Sequence, residues 1–209
     1  MNKELSDMYC RVEQRDHLGK AALVGIAVRE YPTTVEDLWE AITVPERIAR
    51  WFLPVEGELK LGGRYQLKGN AGGTITRCEP PQALDLTWEF GGGTSWVQVR
   101  LASLGQTARL TLEHIAHKDG IGEEHLKKFG PGATGIGWDL GLLGLKRHLE
   151  NQGAAVDPAE FEAWTLSEEG KAFVRRSGEA WAEAYIASGA DPEEAHAQAE
   201  RTIAFYTGA

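Results

Sequence analysis

Gly132–Glu150, GATGIGWDLGLLGLKRHLE, reads as one long helix with two apolar sides. At about 100° per residue, Trp138, Leu142, Leu145 and Leu149 fall on one narrow stripe. Ile136, Leu140 and Leu143 fall roughly opposite, with Asp139, Lys146 and Glu150 between the two. Gly137, Gly141 and Gly144 form a strip without side chains on the remaining flank. A helix with two apolar faces must be covered twice. Glycine inside a helix costs about 1 kcal/mol relative to alanine. Three on one side therefore imply close backbone approach, or space kept for something else. Asp139 is expected to lie on the flank and reach solvent.

The residues before this helix have a different period. GRYQLKGN, GGTITRCE, ALDLTWEF, TSWVQVRLASL and TARLTLEHIAH alternate apolar with polar and are separated by short Gly- or Pro-containing turns. Connections this short predict an antiparallel meander, one face of which covers the long helix. Leu84, Leu86, Trp88 and Phe90 share the inward parity, as do Val97, Val99 and Leu101, and Ala108, Leu110, Leu112 and His114. His114 is the anomaly, an ionisable group continuing an apolar row. The outer parity carries Asp85, Glu89, Gln98, Arg100, Arg109 and Glu113, and also Trp96.

Upstream, MYCRVEQRD and ALVGIAVREY form a predicted hairpin across HLGK. PTTVEDLWEAIT follows as a helix capped by Thr33 or Thr34, with Glu36 and Asp37 at its positive end. A second short helix, VPERIARWF, has Pro45 in its first turn and ends on Trp51 and Phe52, which are expected to plug one end of the sheet and face Trp88 and Trp138. EEHLKK is expected to be a loop or a single turn, with a lid as the sharper alternative, and GPGATGIG a helix-entry loop. The tail is helical. Ser167 caps one helix that stops at Gly189, and Asp191 with Glu194 and Pro192 starts another that ends at Gly208. These C-terminal helices are expected to cover the second side of the long helix.

Composition narrows the role. Among 209 residues, 42% are hydrophobic and 25% charged, as in an ordinary globular protein. No apolar run nears the roughly 18 residues that span a bilayer, and the first residues are too polar for a signal peptide, so a cytoplasmic location is expected. The net charge of −9 argues against nucleic acid and membrane as partners. From Ala154 onward there are 11 acidic and 4 basic residues, so −7 of that charge lies in the last 56. Cys10 and Cys78 have no recognisable spacing, and His117, His125 and His148 make no metal pattern, so neither metal nor cofactor is expected.

DLWEAITVPERIARWF, GGRYQL, GGTITRCEPPQALDLTWEF, ARLTLEHIAH and GWDLGLLGLKRHL, in this order and spacing, resemble the START-like (SRPBCC) superfamily. More narrowly, they are similar to the branch named after the activator of the heat-shock chaperone ATPase. The resemblance runs from about Tyr9 to Gln152. It implies an α+β helix-grip fold: a curved antiparallel sheet wrapped around a long C-terminal helix, often with an apolar cavity between them. The expected organisation is a START-like domain over residues 8–152 and a helical extension over 153–209 packed on it. The resemblance also implies that Trp51, Phe52, Trp88, Phe90, Leu112, His114, Trp138 and Leu142 surround the cavity.

Three functions compete. The first is non-enzymatic binding of a hydrophobic or aromatic small molecule, with His114 as polar anchor. The second is a chaperone-associated or other protein-interaction module, suggested by the family name and the acidic tail. The third is an aromatase/cyclase-type enzyme in which His114 moves a proton; no second acid or base lies on the inward parity, so no catalytic residue is assigned. The plain reading of His114 is a satisfied core histidine, bonded to a backbone carbonyl or a buried water. The oligomeric state is left at monomer or homodimer.

Overall fold

The computed structural model of the chain describes residues 9–119 and 122–208. Eight strands form one antiparallel sheet in the order β1-β2-β8-β7-β6-β5-β4-β3. They are β1 (Tyr9–His17), β2 (Lys20–Tyr31), β3 (Val55–Gly57), β4 (Arg64–Leu67), β5 (Gly72–Glu79), β6 (Ala83–Phe90), β7 (Gly93–Ser103) and β8 (Ala108–His117). Helices α1 (Val35–Thr43) and α2 (Pro45–Ile48) interrupt the strands, and α3 (Glu123–Phe129) and the long α4 (Gly132–Glu150) follow them. The tail adds α5 (Pro158–Leu166), α6 (Glu168–Ala187) and α7 (Pro192–Thr207). This is the α+β helix-grip fold. Met8, the first residue of the expected hairpin and domain, lies outside the described residues.

The helix signals act as the sequence indicates. Thr34, Ser167 and Asp191 accept hydrogen bonds from the backbone N–H of Asp37, Gly170 and Glu194, three residues on in each case. The meander is in register through its centre. Leu84 faces Val99, Leu86 faces Val97 and Trp88 faces Ser95; Val97 and Val99 in turn face His114 and Leu112. Gly91 and Gly92 close the β6–β7 hairpin with φ of 59° and 81°, which side chains resist and glycine accepts.

Residues group into two compact units. Of the described residues, one holds 28–116 and 141–156; the other holds 9–27, 117–119, 122–140 and 157–208, so β2 and α4 each contribute to both.

In the unit containing the tail, α4 presents small residues to large ones. A β-carbon on Gly135 would lie 2.3 Å from the Trp181 indole, and Ile203 and Ile136 close in on Gly178. Trp181, Phe173 and Val174 of α6 are buried. Tyr206 donates to the carbonyl of Ala133 at 2.9 Å, and β1 meets α6 where Gln14 donates to the carbonyl of Ser188.

Asp139 corrects the expectation of a solvated flank residue. It is 2% exposed and accepts hydrogen bonds from Ser177 Oγ at 2.5 Å and Trp181 Nε1 at 3.1 Å. A carboxylate can be buried when donors meet it, and here α6 supplies two. EEHLKK likewise proves to be a helix. The carbonyls of Lys127, Lys128 and Phe129, at the end of α3, are taken by Gln198, Arg201 and Thr202 of α7. A short helix with no buried residue is thereby tied down by its neighbour.

Candidate functional site

The other unit holds most of the residues singled out from the sequence. Trp51 and Phe52 follow α2, their rings stacked 5.5 Å apart. Trp51 Nε1 donates to the carbonyl of Ala41, which fixes the indole against α1. The glycine strip of α4 explains itself here. A β-carbon on Gly144 would lie 2.6 Å from the Trp51 carbonyl oxygen, and one on Gly141 would touch the Phe52 ring at 3.4 Å. The backbone of the aromatic pair thus rests directly on the helix. Tyr31, 1% exposed, adds a hydrogen bond from its hydroxyl to the carbonyl of Leu142 at 3.3 Å.

Gly144→Ala is therefore expected to destabilise the fold. Overpacking of this kind costs about 1–3 kcal/mol, against which alanine recovers about 1 kcal/mol of helix propensity. A urea titration should show a lower midpoint, whereas Gly141→Ala, at van der Waals distance from Phe52, should match or exceed the parent value.

A polar cluster interrupts the inward rows of the sheet. Trp88 of β6, Ser95 of β7 and His114 of β8 share one face. Ser95 Oγ lies 2.8 Å from His114 Nε2 and 3.2 Å from the carbonyl oxygen of Trp88. That carbonyl can only accept: with Nε2 of His114 protonated, Ser95 Oγ donates to the carbonyl and accepts from the ring, and in the other tautomer the serine proton goes to Nε2. The Trp88 ring meets the imidazole edge-on at 6.1 Å. Around them Val97, Val99, Leu110 and Leu112 are buried.

Burial pushes the His114 pKa down to about 4, because a desolvated imidazolium is disfavoured. The sign follows from proton binding. Below the ordinary value of 6.5 the unfolded chain binds a proton here that the folded chain does not. His114 thus makes stability fall as the pH drops from 6.5 to about 4, by at most about 3 kcal/mol, and adds nothing further below that. His114→Gln should remove this part of the slope when the variant's unfolding free energies are compared with the parent's across that range.

The remaining predicted residues fall in several places. Leu112 and Leu142 are each 4% exposed. Phe90 keeps the parity of Trp88, but it sits at the hairpin end opposite Gly93 and is 61% exposed, so the expectation of an enclosed side chain is corrected. Trp138 belongs to the unit containing the tail and is half-buried.

Two residues escaped the sequence reading. Ser95 lies on the inward parity of Val97 and Val99, a signal that was present. His148 of α4, where no strand parity applies, is fully buried. Its Nδ1 donates to the carbonyl of Ala154 at 2.7 Å, and its Nε2 lies 3.4 Å from Arg47, which also binds Asp37 at 2.6 Å. Burial is the largest single influence on the Asp37 carboxyl and opposes ionisation, but hydrogen bonds from Thr33 and Arg47 hold it below its usual range. This network ties α1 and α2 to the end of α4.

Among the described residues, no group of three or more His, Cys, Asp or Glu side chains is arranged to hold a metal ion, and no helix is long and apolar enough to cross a membrane.

The sheet, the long helix and the aromatic pair on its glycines define a helix-grip protein of the START-like class. Residues 32–150 match the family model described as Activator of Hsp90 ATPase homolog 1-like protein, and the chain belongs to that family. The crystal structure of CalU16 from Micromonospora echinospora is similar at 31% identity and a TM-score of 0.66, over 85% of this chain and 97% of that one. Its solution structure gives 30% identity and 0.68, over 88% and 98%. Protein MLL2253 from Mesorhizobium loti, at 20% identity and 0.53, over 61% and 97%, shares the fold. No curated protein matches the chain.

Proposed function

We propose that this chain binds a hydrophobic or aromatic small molecule without transforming it. The ligand would lie against the inward face of the sheet, with Trp88, Leu112 and His114 on one side. Trp51, Phe52 and Leu142 would form the other side, and Phe90 the rim. One observation carries the reading: a hydroxyl and an imidazole sit together within rows that are otherwise apolar. Apolar rows with a few convergent polar groups are the usual composition of a small-molecule site.

A thermal-shift screen of uncharged lipophilic compounds tests this. A ligand that binds only the folded chain stabilises it by about 2.7 kcal/mol at a hundred times its dissociation constant. At least one compound should therefore raise the midpoint, with the increase reduced in His114→Phe. A flat response across the library, together with native mass spectra showing only the bare chain, would remove the reading.

A protein-interaction role is the second reading. It is supported by the family description and by Phe205, which is 70% exposed and packs edge-on or tilted against Tyr206 and Phe129. Phe205→Asp would abolish capture of a partner that uses this surface.

A further inference from the structure

Resting on the small-molecule reading, we infer that the ligand is an uncharged aromatic alcohol whose hydroxyl donates to Ser95 Oγ. Nothing in the family description names a ligand of this kind or gives Ser95 a part. The inference comes from counting the hydrogen-bonding capacity of that oxygen. A serine hydroxyl has one proton and two lone pairs. The proton goes to the Trp88 carbonyl at 3.2 Å when His114 Nε2 carries a hydrogen, and to Nε2 at 2.8 Å when it does not. In either tautomer a lone pair can still accept, and Ser95 has no proton left to give. The group that completes it is a donor, such as a phenolic O–H. An ether or ketone oxygen, which can only accept, would meet it lone pair to lone pair.

The surroundings set the rest of the ligand. Trp88 stands edge-on to the imidazole, Val97 faces His114 from the neighbouring strand, and Leu112 precedes it by two residues on its own strand. These offer ring and aliphatic surface to an aromatic body. His114 is neutral near pH 7, since burial lowers its pKa to about 4. A neutral imidazole offers a carboxylate no positive charge. Buried donors and acceptors discriminate strongly between a ligand that pairs with them and one of the same shape that cannot, because mismatch leaves both desolvated.

The experiment uses three probes on one ring system: 1-naphthol, 1-methoxynaphthalene and 1-naphthoate, titrated by calorimetry into the full-length chain at neutral pH. The parent should bind 1-naphthol about tenfold more tightly than 1-methoxynaphthalene, the worth of one net hydrogen bond. Ser95→Ala should bind the two equally. Ser95→Thr, which keeps the hydroxyl, should keep the preference, and it serves if the alanine variant folds poorly by circular dichroism. Equal binding of the naphthol and its ether by the parent would overturn the inference and leave the small-molecule reading standing. So would a preference that survives in Ser95→Ala, or tightest binding by 1-naphthoate, which would point to a cationic anchor. If none of the three binds, the inference is overturned, and the library screen with native mass spectrometry decides the small-molecule reading separately.

Discussion

A chain ending at Gln152 is expected to lose its cooperative thermal transition. The truncation removes α5, α6 and α7, and with them Phe173, Val174, Trp181 and Ile203, each 8% exposed or less. It also strips the surface that covers Gly135, Ile136 and Asp139 of α4. Burying a side chain of this size fully is worth about 1.5–3 kcal/mol, so four of them approach the 5–15 kcal/mol that holds an ordinary domain together. Asp139 would in addition lose the two donors from α6. Circular dichroism during heating checks the point: the shortened chain should melt broadly or not at all. A sharp transition near the parent midpoint would show that the tail is an accessory.

Trp181→Ala should be the most damaging single substitution, at about 4 kcal/mol. The indole is 2% exposed, lies across Gly135 and touches the position of a Gly25 β-carbon at 3.4 Å. No small side chain can fill that volume. The substitution also takes the 3.1 Å hydrogen bond from the buried Asp139 carboxylate. Trp181→Phe separates the two effects. It keeps much of the volume and loses the N–H, so about 1–3 kcal/mol of the loss should remain. Denaturant unfolding of both variants gives the comparison, and a cost below about 1 kcal/mol for the alanine variant would contradict this packing.

These expectations depend on features of unequal visibility in the sequence. The central strands were legible because period two survives along all of them, and α4 because its two apolar stripes differ from any one-sided helix. The glycine strip announced a close approach, and Trp51 supplies it with a carbonyl oxygen 2.6 Å from where a Gly144 β-carbon would be. Edge strand β3 was not legible, since three residues cannot display an alternation. Nor was α3, whose stability comes from side chains of α7 about seventy residues away.

Asp139 was misread for a related reason. Helical periodicity places it between stripes, where a carboxylate ordinarily finds water. What buries it are Ser177 and Trp181, 38 and 42 residues further along. His148 is similar, held by Ala154 and Arg47 through contacts that no local pattern encodes. At the site, parity put Trp88, Phe90 and His114 on one face of the sheet, as the strand register does. It could not say that a hairpin closing at Gly91 would leave Phe90 exposed. Ser95 was visible on the right row and passed over because a small polar residue in a strand is unremarked until its partner is known.

The central claim is that the Trp88–Ser95–His114 face receives a ligand. It is tested most directly by following backbone and imidazole resonances of the isotope-labelled chain as 1-naphthol is added. Saturable shifts concentrated at Trp88, Ser95 and His114, with the His114 ring nitrogens among the most affected, are the predicted result. Unmoved resonances at those three residues, or shifts confined to the surface around Phe205, would contradict it.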